Sequence, residues 1–289
     1  MKRLLALAVA LAMSLTSWPQ AIVRASEGPV IKTVGNTMSL AGTHVCAIDS
    51  LGGVRCWGSN ATPPFSGLTS NSVSQVSTGT GHACYILSAT AQVSCVGSNT
   101  LGQTNIPPAL GRVSNLSTGY SHTCVTTEAN FVRCWGGSSG QASVPSDLGE
   151  SSQVSAGAFH SCAVTLSGLV RCWGATTFGR SSVPSDLGKA IQVSAGGYHT
   201  CALTEIGSVR CWGLDTSSQS TVPSDMGQVV QISTGSEHTC ALTQIGSVRC
   251  WGLDTSGQST VPSDLGVATQ VSVGSVLGSK SHSPNTCPS

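Results

Sequence analysis

"YHTCALTEIGSVRCWG", residues 198–213, recurs thirty-nine residues later as "EHTCALTQIGSVRCWG", residues 237–252. Each copy sets a histidine two places before one cysteine and a second cysteine ten places after the first. Aligning the whole chain on that histidine gives His44, His82, His122, His160, His199 and His238, with steps of 38, 40, 38, 39 and 39 residues. A fixed period over most of a chain marks a repeat architecture, in which each unit buries its faces only by stacking on its neighbours.

Within one unit, residues 192–196, 199–204 and 208–213 are short runs with partial period-two alternation, followed by a polar segment that ends in Val-Pro-Ser-Asp. No stretch after the leader carries a sustained helical pattern, because glycine or proline interrupts every candidate window. The fold class is therefore all-β. Small antiparallel sheets of this size stack radially into a β-propeller of short blades, with a linear β-solenoid as the second choice. A seventh unit starts at Val271-Ser272-Val273-Gly274 but has Leu277 in the histidine position and no hairpin after it. The pattern predicts six full repeats plus a partial seventh over residues 38–274, arranged as a seven-position ring with a defective last blade.

The loop Glu205-Ile206-Gly207 reads as a three-residue hairpin turn whose glycine supplies a positive φ. Gly52, Gly168 and Gly246 hold the same place, and Asn130, the next most tolerant residue, holds it in the third unit. Only the second unit, with eleven residues from Cys84 to Cys95, needs a longer loop at 88–91. With Thr204 opposite Ser208, Cys201 falls directly across from Cys211 in a non-hydrogen-bonded pair, where α-carbons lie about 4.5 Å apart, a disulfide distance. The same register pairs Cys46 with Cys56, Cys84 with Cys95, Cys124 with Cys134, Cys162 with Cys172, and Cys240 with Cys250. Cys287 is left over. Each small ring contributes on the order of 2 to 3 kcal/mol through loop-closure entropy.

Lys2 and Arg3 precede an apolar run at 4–15, the charge and length of a secretory signal. Small residues place cleavage after Ala25, so the expected organisation is a signal peptide at 1–25, an N-terminal segment at 26–37, repeats at 38–274 and an irregular tail at 275–289. No later stretch is long and apolar enough to span a bilayer, so a secreted or periplasmic protein with no membrane attachment is expected. A net charge of +1 with 9% charged residues lacks the basic surplus that draws nucleic acid.

Gly-x-x-His-Thr-Cys-Ala-Leu followed by Val-Arg-Cys-Trp-Gly resembles the repeat of the regulator of chromosome condensation family. The segment "GQSTVPSDLG" at 257–266 is similar to the beta-lactamase inhibitor protein II branch, and the added cysteine pairs are similar to those of crinkly-type plant receptor kinase propellers. The resemblance runs from about Met38 to Gly274 and implies a propeller, normally of seven blades. It implies several functions: inhibitor, receptor ectodomain, or guanine-nucleotide exchange factor. Val96 departs from it, standing where Trp57, Trp135, Trp173, Trp212 and Trp251 stand elsewhere, and local repacking is expected there.

Histidine two places from cysteine suggests a zinc site, but opposed cysteines in an oxidising compartment should bond each other. The expectation is no metal or other cofactor, and a buried histidine bonding a loop carbonyl in each unit. Arg133, Arg171, Arg210 and Arg249 co-occur with Asp147, Asp186, Asp225 and Asp264, which suggests a structural ion pair in each of those units; Arg55 stands without such an aspartate. No nucleophile elbow, phosphate loop or distinctive carboxylate pair appears, so no enzymatic activity and no catalytic residue are expected. The sequons at Asn60 and Asn115 receive no functional weight. The remaining variable positions are the loops just before each histidine, where Tyr120, Phe159 and Tyr198 come from consecutive units, and a protein partner is expected to bind there. Resemblance to the inhibitor branch adds Phe178 and Asp215. Exchange on a small GTPase and extracellular glycan binding are the alternative functions.

Overall fold

The computed structural model describes residues 22–25, 38–41, 44–48, 52–58 and 73–274. Most of the expected signal peptide, the 26–37 segment, the sequon at Asn60 and the tail with Cys287 lie outside the described residues. Six three-stranded antiparallel sheets follow one another along the chain. Blade 1 is Met38–Ala41, His44–Ile48 and Val54–Gly58; blade 2 is Val73–Thr78, His82–Leu87 and Val93–Gly97; blade 3 is Val113–Thr118, His122–Thr127 and Val132–Gly136. Blade 4 is Ser151–Ala156, His160–Thr165 and Val170–Gly174; blade 5 is Ala190–Ala195, His199–Thr204 and Val209–Gly213; blade 6 is Val229–Thr234, His238–Thr243 and Val248–Gly252. Ala268–Ser272 supplies the inner strand of a seventh position, and its one partner strand is Ile22–Ala25. The first strand of every blade lines a common central channel, from Ser39 round to Ser272. The ring closes where Gly274 lies against Leu40, so near that an added methyl would come within 3.2 Å of Leu40 Cβ.

Hairpin chemistry sets the cystines. Thr204 N–H donates to Ser208 O at 2.9 Å, with Gly207 at φ 77° and Asn130 at φ 63° in the equivalent turn. The longer turn of blade 2 instead places Ala91 at φ 53°. Six cystines result, in the pairs the register predicts, with α-carbons 4.0–4.1 Å apart.

The apolar core is divided among the blade junctions. Between blades 5 and 6, Cys201, Leu203 and Val209 meet Ile232, Ala241 and Trp251. Between blades 1 and 2, where Val96 replaces tryptophan, Tyr85 stands in place of the usual alanine or valine and packs on Cys46, Val54, Val73 and Val76. Trp57 faces the two-stranded seventh position and is 40% exposed, against 6–8% for Trp135, Trp173, Trp212 and Trp251. Polar side chains stitch the inner strands together as well. Gln192 bonds both main-chain groups of Ile232, and Ser194 Oγ accepts from Thr234 N–H at 3.0 Å. Asn115 makes one such bond, its Oδ1 accepting from Val154 N–H.

The histidines correct the sequence reading. Four of them reach a hydroxyl of the next blade through Nε2 instead of a loop carbonyl: His82 to Thr123, His122 to Ser161, His160 to Thr200 and His199 to Thr239, at 2.7–3.0 Å. Each hydroxyl donates its one proton to a carbonyl, that of Gln103, Gln141, Arg180 or Gln219. It must therefore accept from the imidazole, so Nε2 carries the hydrogen. The same carbonyl accepts the tryptophan Nε1–H of that next blade at 2.9–3.0 Å. The glycine of Gly-x-x-His leaves room for the ring: a methyl on Gly157 would lie 2.7 Å from His160 Cε1 and 2.5 Å from Gly196 O. Burial, the largest cause, pushes His122, His160 and His199 down to about 3, and His238 to about 4. His238 Nε2 has no partner among the described residues.

The ion pairs also differ from expectation, being offset by one unit. Arg171 pairs with Asp147, Arg210 with Asp186, and Arg249 with Asp225, each aspartate coming from the connection that precedes the arginine's blade. This offset explains why Arg133 lacks such a mate: the preceding connection has Ala109 there, and the guanidinium lies over Phe131 instead, 5.9 Å from the ring centroid.

Candidate functional site

His199 lies opposite Gly213 in the blade 5 hairpin, so the middle strand starts and the outer strand ends at one edge. The loop before each histidine and the start of each connection after Trp-Gly consequently emerge on one face of the ring. Main-chain bonds tie the two together: Ala175 N–H to Phe159 O at 2.9 Å, Leu214 N–H to Tyr198 O at 3.0 Å and Leu253 N–H to Glu237 O at 2.8 Å. On this face three blades bring their aromatic residues into an arc. Ring centroids lie 5.7 Å apart for Tyr120 and Phe159, 6.5 Å for Phe159 and Tyr198, and 5.9 Å for Phe178 and Tyr198, the last edge to face. These are the separations of interacting aromatic pairs. Tyr120 is 39% and Phe178 55% exposed, while Phe159 and Tyr198 are half-buried.

Asp215 plays another part. Its Oδ1 accepts from the N–H groups of Ser220 and Thr221, and its Oδ2 accepts the Thr221 hydroxyl at 2.6 Å. Asp254 does the same with Ser259 and Thr260 one unit later, so this carboxylate folds its connection while staying exposed to solvent. The zinc reading loses its ligands in the same way, since the cysteines are bonded to each other and His199 to Thr239.

Arg180 is the residue that the sequence reading passed over. Four other connections have glutamine in its place, Gln103, Gln141, Gln219 and Gln258, and "FGR" at 178–180 departs from "LGQ", "SGQ" or "SSQ". Each glutamine Oε1 accepts the N–H two residues before it, as Gln219 does from Ser217 and Gln258 from Ser256, both at 2.8 Å. Arginine cannot accept. Arg180 Nε instead donates to Thr177 O at 2.9 Å, and Phe178 takes φ 62°, a left-handed conformation costly for an aromatic residue. That turn directs the Phe178 ring to Tyr198. The guanidinium, in a residue only 3% exposed, lies 4.8 Å from the Tyr198 ring centroid, 5.8 Å from Phe178 and 5.9 Å from Phe159, and its Nη1 donates to Gly197 O at 3.2 Å. Burial lowers its pKa from the ordinary arginine value, with Tyr198 opposing.

The family model of the regulator of chromosome condensation (RCC1) repeat matches residues 152–180, 190–219 and 229–258. No curated protein matches the chain. Among solved structures it is similar to the ectodomain of the receptor kinase CR4 from Physcomitrella patens, with a TM-score of 0.70 and 23% identity over 83% of this chain and 68% of that one. It is similar to the CRINKLY WD40 ectodomain of the Arabidopsis thaliana receptor kinase ACR4, with a TM-score of 0.65 and 22% identity over 83% of this chain and 90% of that one. Prp20p of Saccharomyces cerevisiae, whose structure was described with its binding to Gsp1p and histones, gives 0.66 and 16% identity over 81% and 75%. The chain thus carries regulator of chromosome condensation repeats in blades 4 to 6, and blades 1 to 3 follow the same strand plan.

Proposed function

We propose that this propeller is an exported binding module that holds a protein partner on the aromatic face. The observation that carries the reading is the arc itself: Phe159 and Tyr198 directly precede their histidines, Tyr120 stands one place earlier in the blade before, and the three rings meet each other at the surface. Exposed aromatic anchors on a rigid frame are what protein interfaces use for their strongest contacts. Six cystines support an oxidising location outside the cytoplasm, and no helix among the described residues is long and apolar enough to cross a membrane. An inhibitor-like or receptor-like role is the finer form of this proposal.

The test is capture of a partner by the oxidised protein from its own extracellular medium, run beside a variant with Tyr120, Phe159 and Tyr198 all changed to alanine. A protein retained by the parent and released by a folded triple variant, with a loss of at least about 2 kcal/mol in affinity, supports the assignment. Equal retention by both moves the binding surface elsewhere.

A further inference from the structure

Arg180 is a desolvated cation without a counter-charge. No carboxylate among the described residues forms an ion pair with it; its two hydrogen bonds go to neutral carbonyls and its faces to three rings. Arginines in the corresponding ion pairs on the outer strands, Arg171, Arg210 and Arg249, each have an aspartate and lie exposed to solvent. A buried guanidinium is ordinarily paired, because an isolated charge is expensive to desolvate. Here the ring quadrupoles compensate only in part. The same connection holds Phe178 at a left-handed φ of 62°, so it costs the fold both a desolvated charge and backbone strain. The contacts shared with the other connections, to Thr200 Oγ1 and Trp212 Nε1, use the main-chain carbonyl of residue 180 and do not need the guanidinium.

We propose that the arc is a receptor for an acidic side chain carried on an apolar segment of the partner protein, with Arg180 as the residue that selects the charge. Charge complementarity names the occupant: a carboxylate seated on the arc falls within the field of the guanidinium beneath the rings, and flanking apolar groups cover Tyr120, Phe159 and Phe178. In a site of low dielectric, the unneutralised charge attracts such a group more strongly than an exposed arginine does. The inference rests on the aromatic face being the binding surface, and its test separates the two ideas.

The probes are the peptides acetyl-Phe-Asp-Phe-amide and acetyl-Phe-Asn-Phe-amide, with free acetate as a third arm, titrated against the oxidised protein. Binding is followed through the Nε–H resonance of Arg180 and the ring resonances of the arc. The aspartyl peptide should bind about tenfold more tightly than the asparaginyl one, the scale of the attraction between two unit charges several ångströms apart in a partly desolvated site. That preference should vanish in Arg180→Gln, a variant expected to fold because glutamine occupies this position in four other connections. Equal affinity of the two peptides for the parent overturns the proposal even if the variant does not fold. So does a preference that survives Arg180→Gln, acetate binding as tightly as the aspartyl peptide, or no binding of either peptide. Loss of both peptides equally in the triple alanine variant, with no preference in the parent, would sink charge selection and leave the aromatic face standing.

Discussion

Blade 5 and blade 2 have the same three-strand plan and the same cystine across the hairpin, yet they meet their neighbours by different chemistry. Blade 5 turns Trp212 toward blade 4 with only Ala202 beside it, and Thr200 takes the hydrogen bond from His160. Blade 2 has Val96 in the tryptophan position, Tyr85 in the alanine position and Ala83 in the hydroxyl position. The three changes go together for a physical reason. Tryptophan and hydroxyl both donate to one main-chain carbonyl in the connection before the blade, that of residue 180 for Trp212 and Thr200, so replacing both donors together leaves neither a buried indole N–H nor a buried hydroxyl to be satisfied in blade 2. Volume then has to come from elsewhere, and Tyr85 supplies it from the adjacent strand. What is kept constant is the filled junction, while individual positions vary.

Acid should separate the two kinds of junction with the largest effect. His122, His160 and His199 have folded-state values near 3, and an unfolded histidine titrates near 6.5, so the unfolded chain takes up protons that the folded one refuses. Stability is therefore fully present above about pH 7 and lost as pH falls from 6.5 toward 3, by as much as about 1.4 kcal/mol per pH unit for each histidine. Urea midpoints measured from pH 8 to pH 4 should fall steeply below pH 6, and hydrogen exchange should rise first in the middle strands of blades 3, 4 and 5. A midpoint that stays flat to pH 4 would contradict the buried imidazole relay.

The next effect tests the exchange of volume in blade 2. Tyr85→Ala should lose about 3 to 5 kcal/mol, the usual cost of emptying an aromatic site. Adding Val96→Trp should recover about half, because the indole refills the space from the outer strand without the fit that Tyr85 has in it. In blade 5 the mirror variant, Ala202→Tyr with Trp212→Val, should be milder than Trp212→Ala alone. If the second substitution recovers nothing in either blade, the two positions do not share one volume.

These contrasts also mark how far the sequence could be read. Hairpin register, cystine pairing and the seven-position ring depend on residues within a single unit or on the period itself, and a loop glycine or a cysteine spacing states them directly. The histidine's partner, by contrast, lies 39 to 41 residues away, and Thr123, Ser161, Thr200 and Thr239 look like ordinary strand residues until adjacent blades are placed side by side. Arginine and aspartate were paired within the unit when the geometry pairs them across it. Arg180 was visible as a single departure from glutamine, but its consequence, a flipped Phe178, follows only from knowing that the glutamine is an acceptor. The strand Ile22–Ala25 is the remaining discord with the sequence reading: it pairs with Ala268–Ser272, and a cut after Ala25 would remove it from the mature ring.

The smallest effect expected comes from the ion pair that blade 2's connection lacks. Ala109 stands where Asp147, Asp186 and Asp225 stand in later connections, and its φ of 58° is a conformation that aspartate tolerates better than alanine. Ala109→Asp should relieve that strain and offer a carboxylate to Arg133, which now lies over Phe131 with its Nη1 on Val132 O. The natural pairs at the other junctions are exposed, so the ionic part of the gain is at most about 1 kcal/mol and is weakened by salt. The backbone part does not depend on salt. Denaturation midpoints of Ala109→Asp, with and without Arg133→Ala, should therefore show a small stabilisation at low ionic strength, part of which disappears either in high salt or when the arginine is removed. A gain indifferent to both would assign the whole effect to the backbone, and no gain at all would mean that the left-handed turn at Ala109 holds the carboxylate out of reach of blade 3.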